Sequence, residues 1–557
     1  MKPFILCKPY LLSQKYNLLI YIIIILISTA ISILSPYIIG NFLDNLIEGA
    51  NIGAILQFCL VFGGLNLLRI SKNYITSIMN VKMQTQMSYD FNIDVIKHIQ
   101  ELSLSYIDSK DVAYLGQRVG IDSSGLIGFC IKVLQDFITN IILLIIPFML
   151  ILSMNWIISV LLIGFLVIYV AVYSAFKKPI HTASFVLKEA QAKFFSRLYE
   201  QLKYIKIIKV NSAQSQINDR ALETFKDLKN KTLHNQKLTY LYSGLDGFVS
   251  TIAQILLFVV GGLQVLEGNF TIGMFTVFSS YFNMMLSSSR YFFGLGASYQ
   301  QALVAYSRIT EILSHKKESL GTRVISSIDR IELKDVGFSY VDEDSAAKGD
   351  VKRMVVKDFN AKFSKGKIYA LIGVNGAGKS TIINLIIGLY IDEYAGNITY
   401  NGIDIRNIEM KLARKNLIGF AEQEPQLIND SIEYNLFLDT YAGKCDSNKP
   451  VSQDISKYSD ILNMTDFIST NTLDSVIDER ATNISGGEKQ KIAILKVLTK
   501  NPDVMIFDEP TSALDLHTTE AFIKHLQQIK KDRIILIITH DEGVKSLCDA
   551  VIEVGVS

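Results

Sequence analysis

Long apolar stretches dominate the first half of the chain. Six such runs lie at residues 18–40, 53–75, 132–154, 156–176, 248–266 and 273–293. Each approaches the ~20 residues that a helix needs to cross a bilayer. The first run is too long for a cleavable signal peptide, and no small-residue cleavage site follows it closely. The pattern therefore predicts an α-helical transmembrane domain with six spans.

The distribution of lysine and arginine between these runs predicts their orientation. The segments 41–52, 153–155 and 267–272 contain neither residue, whereas basic residues precede the first run and follow the second and the fourth. Because basic loops stay in the cytoplasm, we expect both termini and the two long basic segments there. Both segments keep a helical periodicity, so we expect the spans to continue beyond the bilayer and to turn back near residues 108–116 and 204–211.

The pattern changes after about residue 313, where a polar and charged stretch predicts a linker. Beyond it, short apolar runs alternate with helical patterns. The continuous apolar runs 368–372, 504–507 and 534–538 are typical of parallel strands covered on both faces. We therefore predict three segments. They are a transmembrane domain at 1–315, a linker at 316–328 and an α/β domain at 329–557.

Composition agrees with a membrane protein. Of the 557 residues, 49% are hydrophobic and only 19% are charged, whereas soluble chains carry about a quarter of charged residues. The net charge of +2 gives no reason to expect a nucleic-acid partner. The abundance of Ile, Asn, Lys and Tyr is compatible with an AT-rich bacterial genome. The scattered cysteines predict neither a disulfide framework nor a metal site. They are Cys7, Cys59, Cys130, Cys445 and Cys548.

A glycine-rich loop at residues 373–381 fits the phosphate-binding pattern G-x-x-x-x-G-K-[ST]. The strand-like run 368–372 leads into it and a helical pattern at 380–389 leads out, which is the context that this motif requires. Lys379 is placed to pair with the β- and γ-phosphates, and the Ser380 hydroxyl to ligate Mg²⁺. The candidate nucleotide-binding residues of this loop are Gly373, Asn375, Gly376, Ala377, Gly378, Lys379, Ser380 and Thr381.

Two further motifs carry chemistry. The apolar run 504–507 ends in Asp508 and Glu509, of which the first can hold Mg²⁺ and the second can polarise a water molecule. Alone, such a pair is an ordinary acidic end of a strand; next to a phosphate loop it predicts a hydrolytic site. The turn at 484–488 precedes a helical run, so Ser485 suits a helix N-cap and the glycines expose N–H groups to an anion.

In their order, these motifs resemble the nucleotide-binding domain of ATP-binding cassette (ABC) transporters. By that resemblance Gln423 lies in the Q-loop, His540 is the switch histidine, and Tyr340 lies where the family stacks an aromatic ring on adenine. The resemblance implies ATP as substrate, Mg²⁺ as cofactor, and Glu509 and His540 as catalytic residues. The implied Mg²⁺ ligands are Ser380, Gln423 and Asp508.

The resemblance also implies residues that bind the ATP of a partner chain. Residues 484–488, the signature segment, have Ile484 and Glu488 where the family usually has leucine and glutamine, while the Ser-Gly-Gly donors remain. The implied signature residues are Ser485, Gly486, Gly487 and Glu488, and those of the D-loop are Ser512 and Asp515.

The first half resembles the exporters of this superfamily, in which six spans precede the cassette. Residues 108–122 resemble their first coupling segment, and Glu479-Arg480 resemble the exporter-type X-loop, although Asp478 and Ala481 replace glycines usual there. The short stretches before the first run and after the last strand lead us to expect neither a peptidase domain nor a long C-terminal extension.

The resemblance implies a half-transporter that acts with a second copy of itself or with a related half-transporter. We expect ATP binding and hydrolysis to drive alternating access. The expected cargo is a peptide or a hydrophobic or amphipathic small molecule, in contact with membrane lipid. Lipid flipping is the alternative within transport, and an ATP-gated channel or regulatory subunit is the alternative from another class. The expected location is a bacterial plasma membrane, with the cassette in the cytoplasm.

Two arginines lie inside apolar runs. Arg69 and Arg290 either contact an acidic cargo or extend to the membrane interface, since both lie near the cytoplasmic end of their run. The sequence leaves both interpretations open.

Overall fold

The computed structural model describes residues 2–49, 51–110, 112–154, 156–319, 321–340, 353–438, 451–470, 472–478, 483–512 and 514–555. Its contacts divide the chain into two units. The helical unit comprises Met1–Lys97 and Leu115–Ser314, and the α/β unit comprises His98–Tyr114 and His315–Ser557. The predicted linker thus lies at the start of His315–Ser557, the second segment of the α/β unit.

In the part of the chain that the structure describes, the helical unit is built from helices. The helices up to residue 314 are α1 (Lys2–Ser13), α2 (Lys15–Ile47), α3 (Ile52–Gln100), α4 (Leu104–Asp108), α5 (Val112–Gln117), a π-helical turn (Arg118–Asp122), α6 (Ser123–Met154), α7 (Trp156–Lys203), α8 (Ile205–Val210), α9 (Gln214–Leu266) and α10 (Ile272–Ser314). The predicted reversal near 204–211 is confirmed, because α7 ends and α9 begins on either side of it and the two pack along each other.

Among the described residues, five helices are long and apolar enough to cross a membrane, by length and composition alone. They are α2, α3, α6 with the turn before it, α7 and α9. Helix α10, which contains the sixth predicted span, is not among them. Its apolar residues alternate with serines, Tyr281 and Asn283, which lower its hydropathy. The count of six spans therefore stays a prediction.

Close helix packing fixes the start of α10 against α2. A Cβ atom on Gly273 would lie 2.1 Å from the carbonyl oxygen of Gly40, so the two backbones meet directly. The carboxylate of Asp44 accepts hydrogen bonds from the Thr271 hydroxyl at 2.6 Å and the Gly273 N–H at 2.7 Å. This carboxylate caps the N-terminus of α10 and complements its dipole.

The α/β unit contains two sheets. The first is antiparallel with strand order β2-β1-β4-β5, and the second is parallel with order β6-β7-β8-β3-β9. The strands are β1 (Arg330–Tyr340), β2 (Arg353–Ser364), β3 (Lys367–Ile372), β4 (Tyr394–Tyr400), β5 (Ile403–Asp404), β6 (Ile418–Ala421), β7 (Val504–Asp508), β8 (Ile534–Ile538) and β9 (Ala550–Glu553). The helices are α11 (Lys379–Ile387), a 3₁₀ turn (Ile405–Asn407), α12 (Met410–Asn416), α13 (Ile432–Leu436), α14 (Val451–Ile461), α15 (Thr465–Thr470), α16 (Gly486–Lys500), α17 (Leu516–Ile529), a 3₁₀ turn (Lys530–Asp532) and α18 (Glu542–Ser546).

The parallel sheet forms the centre of the α/β unit. Strands β7 and β8 are buried along their whole length, as their apolar runs predict. One face packs with α11 and the antiparallel sheet, and the other packs with α16 and α17. A parallel sheet covered on both faces confirms the predicted α/β class.

Residues 98–108 pack within the α/β unit. The N–H of Glu318 donates to the carbonyl of Glu101 at 2.7 Å, and the amine of Lys317 pairs with the Glu101 carboxylate at 2.6 Å. The Tyr390 hydroxyl donates to the Asp108 carboxylate at 3.2 Å. Asp108, the first residue of the predicted coupling segment, thus contacts Tyr390 of the α/β unit, while Glu101 before it contacts the linker.

Candidate functional site

The glycine-rich loop joins β3 to α11. A Cβ atom on Gly373 would lie 2.6 Å from the carbonyl oxygen of Val554, so the backbone leaves no room for a side chain. Gly378 has φ +93° and forms the N-cap of α11, a conformation that favours glycine. The Lys379 amine donates to the carbonyl oxygen of Gly373 at 2.8 Å. The loop's N–H groups and the helix N-terminus therefore form an anion-binding concavity with a fixed amine beside it.

Asp508 ends β7 beside this loop. Its carboxylate is buried and accepts a hydrogen bond from the Ser380 hydroxyl at 3.3 Å. Burial raises the pKa of Asp508 above its usual range, although the bond from Ser380 acts in the opposite direction. A buried carboxylate beside a hydroxyl offers the hard oxygen ligands that Mg²⁺ prefers, and a bound cation would offset the cost of burying the charge. The residues present fit a magnesium ion.

Glu509 follows at the edge of the sheet in a strained backbone conformation, with φ +47°. Its carboxylate accepts a hydrogen bond from the side-chain amide of Gln423 at 2.7 Å. His540 Nε2 lies 3.7 Å from the same carboxylate. These three residues follow the carboxyl ends of the neighbouring strands β7, β6 and β8, so the sheet brings them together.

Tyr340, at the end of β1, lies next to the glycine-rich loop. Its hydroxyl lies 3.1 Å from that of Thr381, and its ring packs edge-on against Phe338 and Tyr390. Tyr340 is 36% exposed, so the residue is only partly covered by these contacts.

The signature segment forms the start of α16. Ser485 accepts a hydrogen bond from the Glu488 N–H at 3.3 Å, and the Glu488 carboxylate accepts from the Ser485 N–H at 2.7 Å. This capping box fixes the first turn, and the carboxylate also accepts from the Ser485 hydroxyl at 2.6 Å. Asp515 caps α17 in the same way, accepting from the Thr518 N–H at 2.8 Å.

Two family models match the chain. The model of the ABC transporter transmembrane region matches residues 18–289, and the ABC transporter model matches residues 356–512. The chain belongs to the ABC transporter superfamily. It combines one transmembrane region and one ATP-binding domain, which is the architecture of a half-transporter of the exporter type.

Similar ABC transporters cover nearly the whole chain. The lactococcin-G-processing and transport ATP-binding protein LagD of Lactococcus lactis subsp. lactis is 27% identical over 98% of this chain and 74% of its own length. The ATP-dependent lipid A-core flippase of Desulfotalea psychrophila is 26% identical over 95% of this chain and 90% of its own. The structure of a bacterial Atm1-family ABC exporter with ATP bound has a TM-score of 0.83 at 18% identity, over 97% of this chain and 94% of that one, and shows the shared fold.

Together these matches identify an ATP-driven ABC exporter with ATPase activity coupled to transport. They confirm the predicted fold class, a helical transmembrane domain followed by an α/β nucleotide-binding domain. The protein is embedded in the membrane through its apolar helices. The predicted X-loop residues Glu479, Arg480 and Ala481 lie outside the described residues.

The sequence gives no sign of one residue that supports the site. Gln490, on α16, is buried and donates to the backbone oxygen of Glu509 at 2.7 Å and to the Ser512 hydroxyl at 3.2 Å. It ties the signature helix to the strained backbone of Glu509 and to the D-loop of the same chain. An unbroken helical pattern around a glutamine predicts only a solvated side chain.

The two arginines of the apolar runs differ. Arg69 is exposed on α3 between the exposed side chains of Leu68 and Ile70, as expected of a side chain that extends to the membrane interface. Arg290 instead forms an ion pair with Asp246 at 3.0 Å, from α10 to α9. Arg290 thus has a charged partner within the protein, which the sequence did not predict.

Proposed function

We propose that two copies of this chain form a homodimer with two composite ATP sites. In each site the glycine-rich loop of one chain faces the signature segment of the other. The assembled Glu509–Gln423–His540 group carries the proposal, because every hydrolytic residue is present in one chain and two identical chains therefore suffice. A heterodimer with a related half-transporter is the alternative.

Each site residue has a role in this proposal. The loop N–H groups and Lys379 bind the phosphates, and Tyr340 stacks on adenine. Glu509 orients and polarises the attacking water, and His540 stabilises the γ-phosphate charge. Mg²⁺, when bound, neutralises charge on the phosphates. The proposed Mg²⁺ ligands are Ser380, Gln423 and Asp508.

The proposal also assigns residues that bind the ATP held by the partner chain. Ser485, Gly486 and Gly487 bind it through hydroxyl and N–H donors at the start of α16, and Ser512 and Asp515 lie at the dimer seam. In the single chain the Ser485 hydroxyl donates to Glu488. Closure of the dimer exchanges this bond for one to a phosphate oxygen, so Glu488 must then release it.

We propose an amphipathic cargo, either a peptide or a hydrophobic small molecule, with lipid flipping as the alternative. Relatives named for lactococcin-G transport, for lipid A-core flipping and for multidrug export support this class of cargo. The complete hydrolytic group disfavours a channel or a regulatory subunit, neither of which needs turnover for its function.

Transport into inverted vesicles tests this function. We expect ATP-dependent uptake of a labelled hydrophobic peptide, a dye or a labelled lipid, and loss of that uptake in Glu509→Gln. Ion currents that flow without turnover would instead identify a channel.

A mixed dimer tests the composite site. When Lys379→Ala and Ser485→Arg are on the same chain and its partner is wild type, each site carries one defect. When they are on different chains, both defects fall in one site and the other stays intact. We expect about half of wild-type hydrolysis from the split arrangement and much less from the combined one. Equal rates would show that each chain hydrolyses ATP alone.

We further propose a bacterial plasma membrane location with both termini and the α/β unit in the cytoplasm, on the basis of the basic loops. A cysteine placed at Asn45 or Asn269 should react with an impermeant thiol reagent added outside. Reaction at Lys110→Cys instead would reverse the orientation.

A further inference from the structure

Helix α10 has two faces of different character. One is buried and largely apolar, including Val277, Phe278 and Phe282, and packs against α2 and α6. The other exposes Asn283, Ser287 and Arg290, which recur at the helical spacing of three to four residues. The exposed side chains of the membrane helix α3 include Leu60, Leu67 and Leu68, as lipid contact requires. Because polar groups exposed to lipid are unfavourable, this face of α10 is unsuited to lipid contact.

A charged cluster lies on this face. The Arg290 guanidinium lies 3.0 Å from the Asp246 carboxylate of α9 and donates to the Ser250 hydroxyl at 2.7 Å. The line of contact between α9 and α10 is called the α9–α10 seam below. Two helical turns along this seam from Arg290, the Gln254 amide donates to Asn283 at 2.9 Å. The side chain of Arg290 is 42% exposed and that of Asp246 is 16% exposed, so neither charge is fully buried.

The opposite end of the α9–α10 seam is closed. A Cβ atom on Gly261 would lie 2.7 Å from the Phe275 ring, and Leu257 is buried. Arg290 lies 18 residues beyond the start of α10, or ~27 Å along the helix axis. The ion pair and these apolar contacts thus lie at opposite ends of the seam.

The charges of Arg290 and Asp246 limit which ligand can replace their ion pair. A charged side chain within a membrane-spanning segment is costly unless it is paired, and the Asp246 side chain is only 16% exposed. A ligand that carries one charge would leave the other ion without its charged partner, whereas a ligand with an anionic and a cationic group replaces both charged contacts at once. A ligand that carries two adjacent opposite charges and an apolar part is a zwitterionic amphiphile.

We propose that Arg290 and Asp246 form a cargo-binding site for a zwitterionic amphiphile with a primary ammonium group close to a carboxylate or phosphate. Arg290 binds the anionic group and Asp246 the ammonium group, while the apolar part of the ligand lies along the α9–α10 seam. This inference rests on the proposed export of an amphipathic cargo. A lipid headgroup and the termini of a short apolar peptide share this chemistry.

Direct binding to the purified full-length protein tests the site, by fluorescence anisotropy in lipid nanodiscs of phosphatidylcholine. The probes are a short-chain fluorescent phosphatidylethanolamine and a fluorescent apolar dipeptide with free termini. Binding of each probe is compared with that of a control form acylated at the amine. The dipeptide is also compared with a form that has a C-terminal amide. Preference for the lipid or for the dipeptide identifies the source of the zwitterion.

In the wild type we expect amine acylation to weaken binding about tenfold or more, the scale of a lost charged hydrogen bond. Asp246→Asn should abolish this difference between free and acylated probes. Arg290→Gln should abolish the difference between the free dipeptide and its amide. Arg69→Gln, the matched control, should preserve both differences because that side chain lies on α3.

A charge-reversed pair separates binding from packing. Arg290→Asp with Asp246→Arg restores the ion pair between the helices but reverses its polarity. A purely structural pair would let this double variant bind probes like the wild type. If the pair binds cargo, the double variant should bind the free probes more weakly than the wild type. The difference between free and amine-acylated probes and the difference between the free dipeptide and its amide should both change. Equal binding of free and capped probes to the wild type would overturn the inference, while the vesicle assay and ATP hydrolysis judge the proposed function independently.

Discussion

The two units of this chain place their polar chemistry in opposite ways. In the α/β unit, strands β7 and β8 are buried throughout, and the reactive groups follow the strand ends at Glu509 and His540. In the helical unit, large apolar side chains remain exposed on α2, α3 and α9, and the polar groups lie along one face of α10.

This difference follows from the solvent. Water surrounds the α/β unit, so its apolar residues go inside and its polar groups lie at the sheet edge. The apolar helices of the helical unit contact lipid, so large apolar side chains remain exposed there, and an exposed polar group within a span is unfavourable. The same observation, an exposed polar side chain, is thus unremarkable in one unit and informative in the other.

The largest expected effect concerns the sheet edge. Glu509→Gln keeps the shape of the side chain but loses the carboxylate, so phosphate release should fall by ~10² or more while ATP binding persists. The closed dimer should accumulate because its exit step is blocked. Glu520→Gln, on the exposed side of α17, serves as the control. A loss of less than twofold would remove Glu509 from the hydrolytic step.

The next effect concerns packing in the helical unit. Gly273→Leu forces a side chain into the contact with Gly40 and should lower the free energy of unfolding by about 3 kcal/mol or more. Gly63→Leu is a matched control, since a Cβ atom there meets nothing within 4 Å. Chemical denaturation in detergent measures both. Similar values for the two variants would show that α2 and α10 do not approach as described.

A smaller effect separates stability from activity within the α/β unit. Since burial raises the pKa of Asp508, the folded protein disfavours its carboxylate, and the associated stability is present at low pH and lost as the pH rises through the folded-state pKa. Asp508→Asn should therefore raise the Tm of the nucleotide-free protein at neutral pH, by roughly 2 °C, while abolishing hydrolysis. The exposed Asp532→Asn should change neither. A lower Tm for Asp508→Asn would contradict this account.

The smallest effect is a pH dependence. Burial lowers the pKa of His525, with Lys457 and Arg533 adding to the shift. A lowered folded-state pKa gives stability above the unfolded pKa that is lost as the pH falls through the folded one. Between pH 7.5 and 5.5 the Tm should therefore fall more in the wild type than in His525→Gln. The exposed His517→Gln should follow the wild type, and equal slopes in all three would exclude His525 as the source.

Local sequence predicted the parts of the site that a short segment specifies. The glycine-rich loop needs only its neighbours β3 and α11, and Asp508 with Glu509 needs only the end of β7. Gln490 was missed because its burial depends on contact with Glu509 and Ser512, which lie elsewhere in the chain. Likewise Asp246 and Arg290 meet only after α9 and α10 fold back, so the charge pattern alone offered only an acidic cargo or the membrane interface for Arg290. The roles of the site residues stay predictions.

The strand order has a consequence for folding during synthesis. Strand β3 lies between β8 and β9, which follow it in the chain by roughly 160 residues or more. During synthesis the chain emerges from its N-terminus, so β3 leaves the ribosome long before either neighbour exists. Both of its edges then stay open to incorrect pairing, at a stretch as apolar as Ile368 to Ile372. The glycine-rich loop is translated before every other site residue except Tyr340, yet the strand that leads into it gains its neighbours only when β8 and β9 have been made.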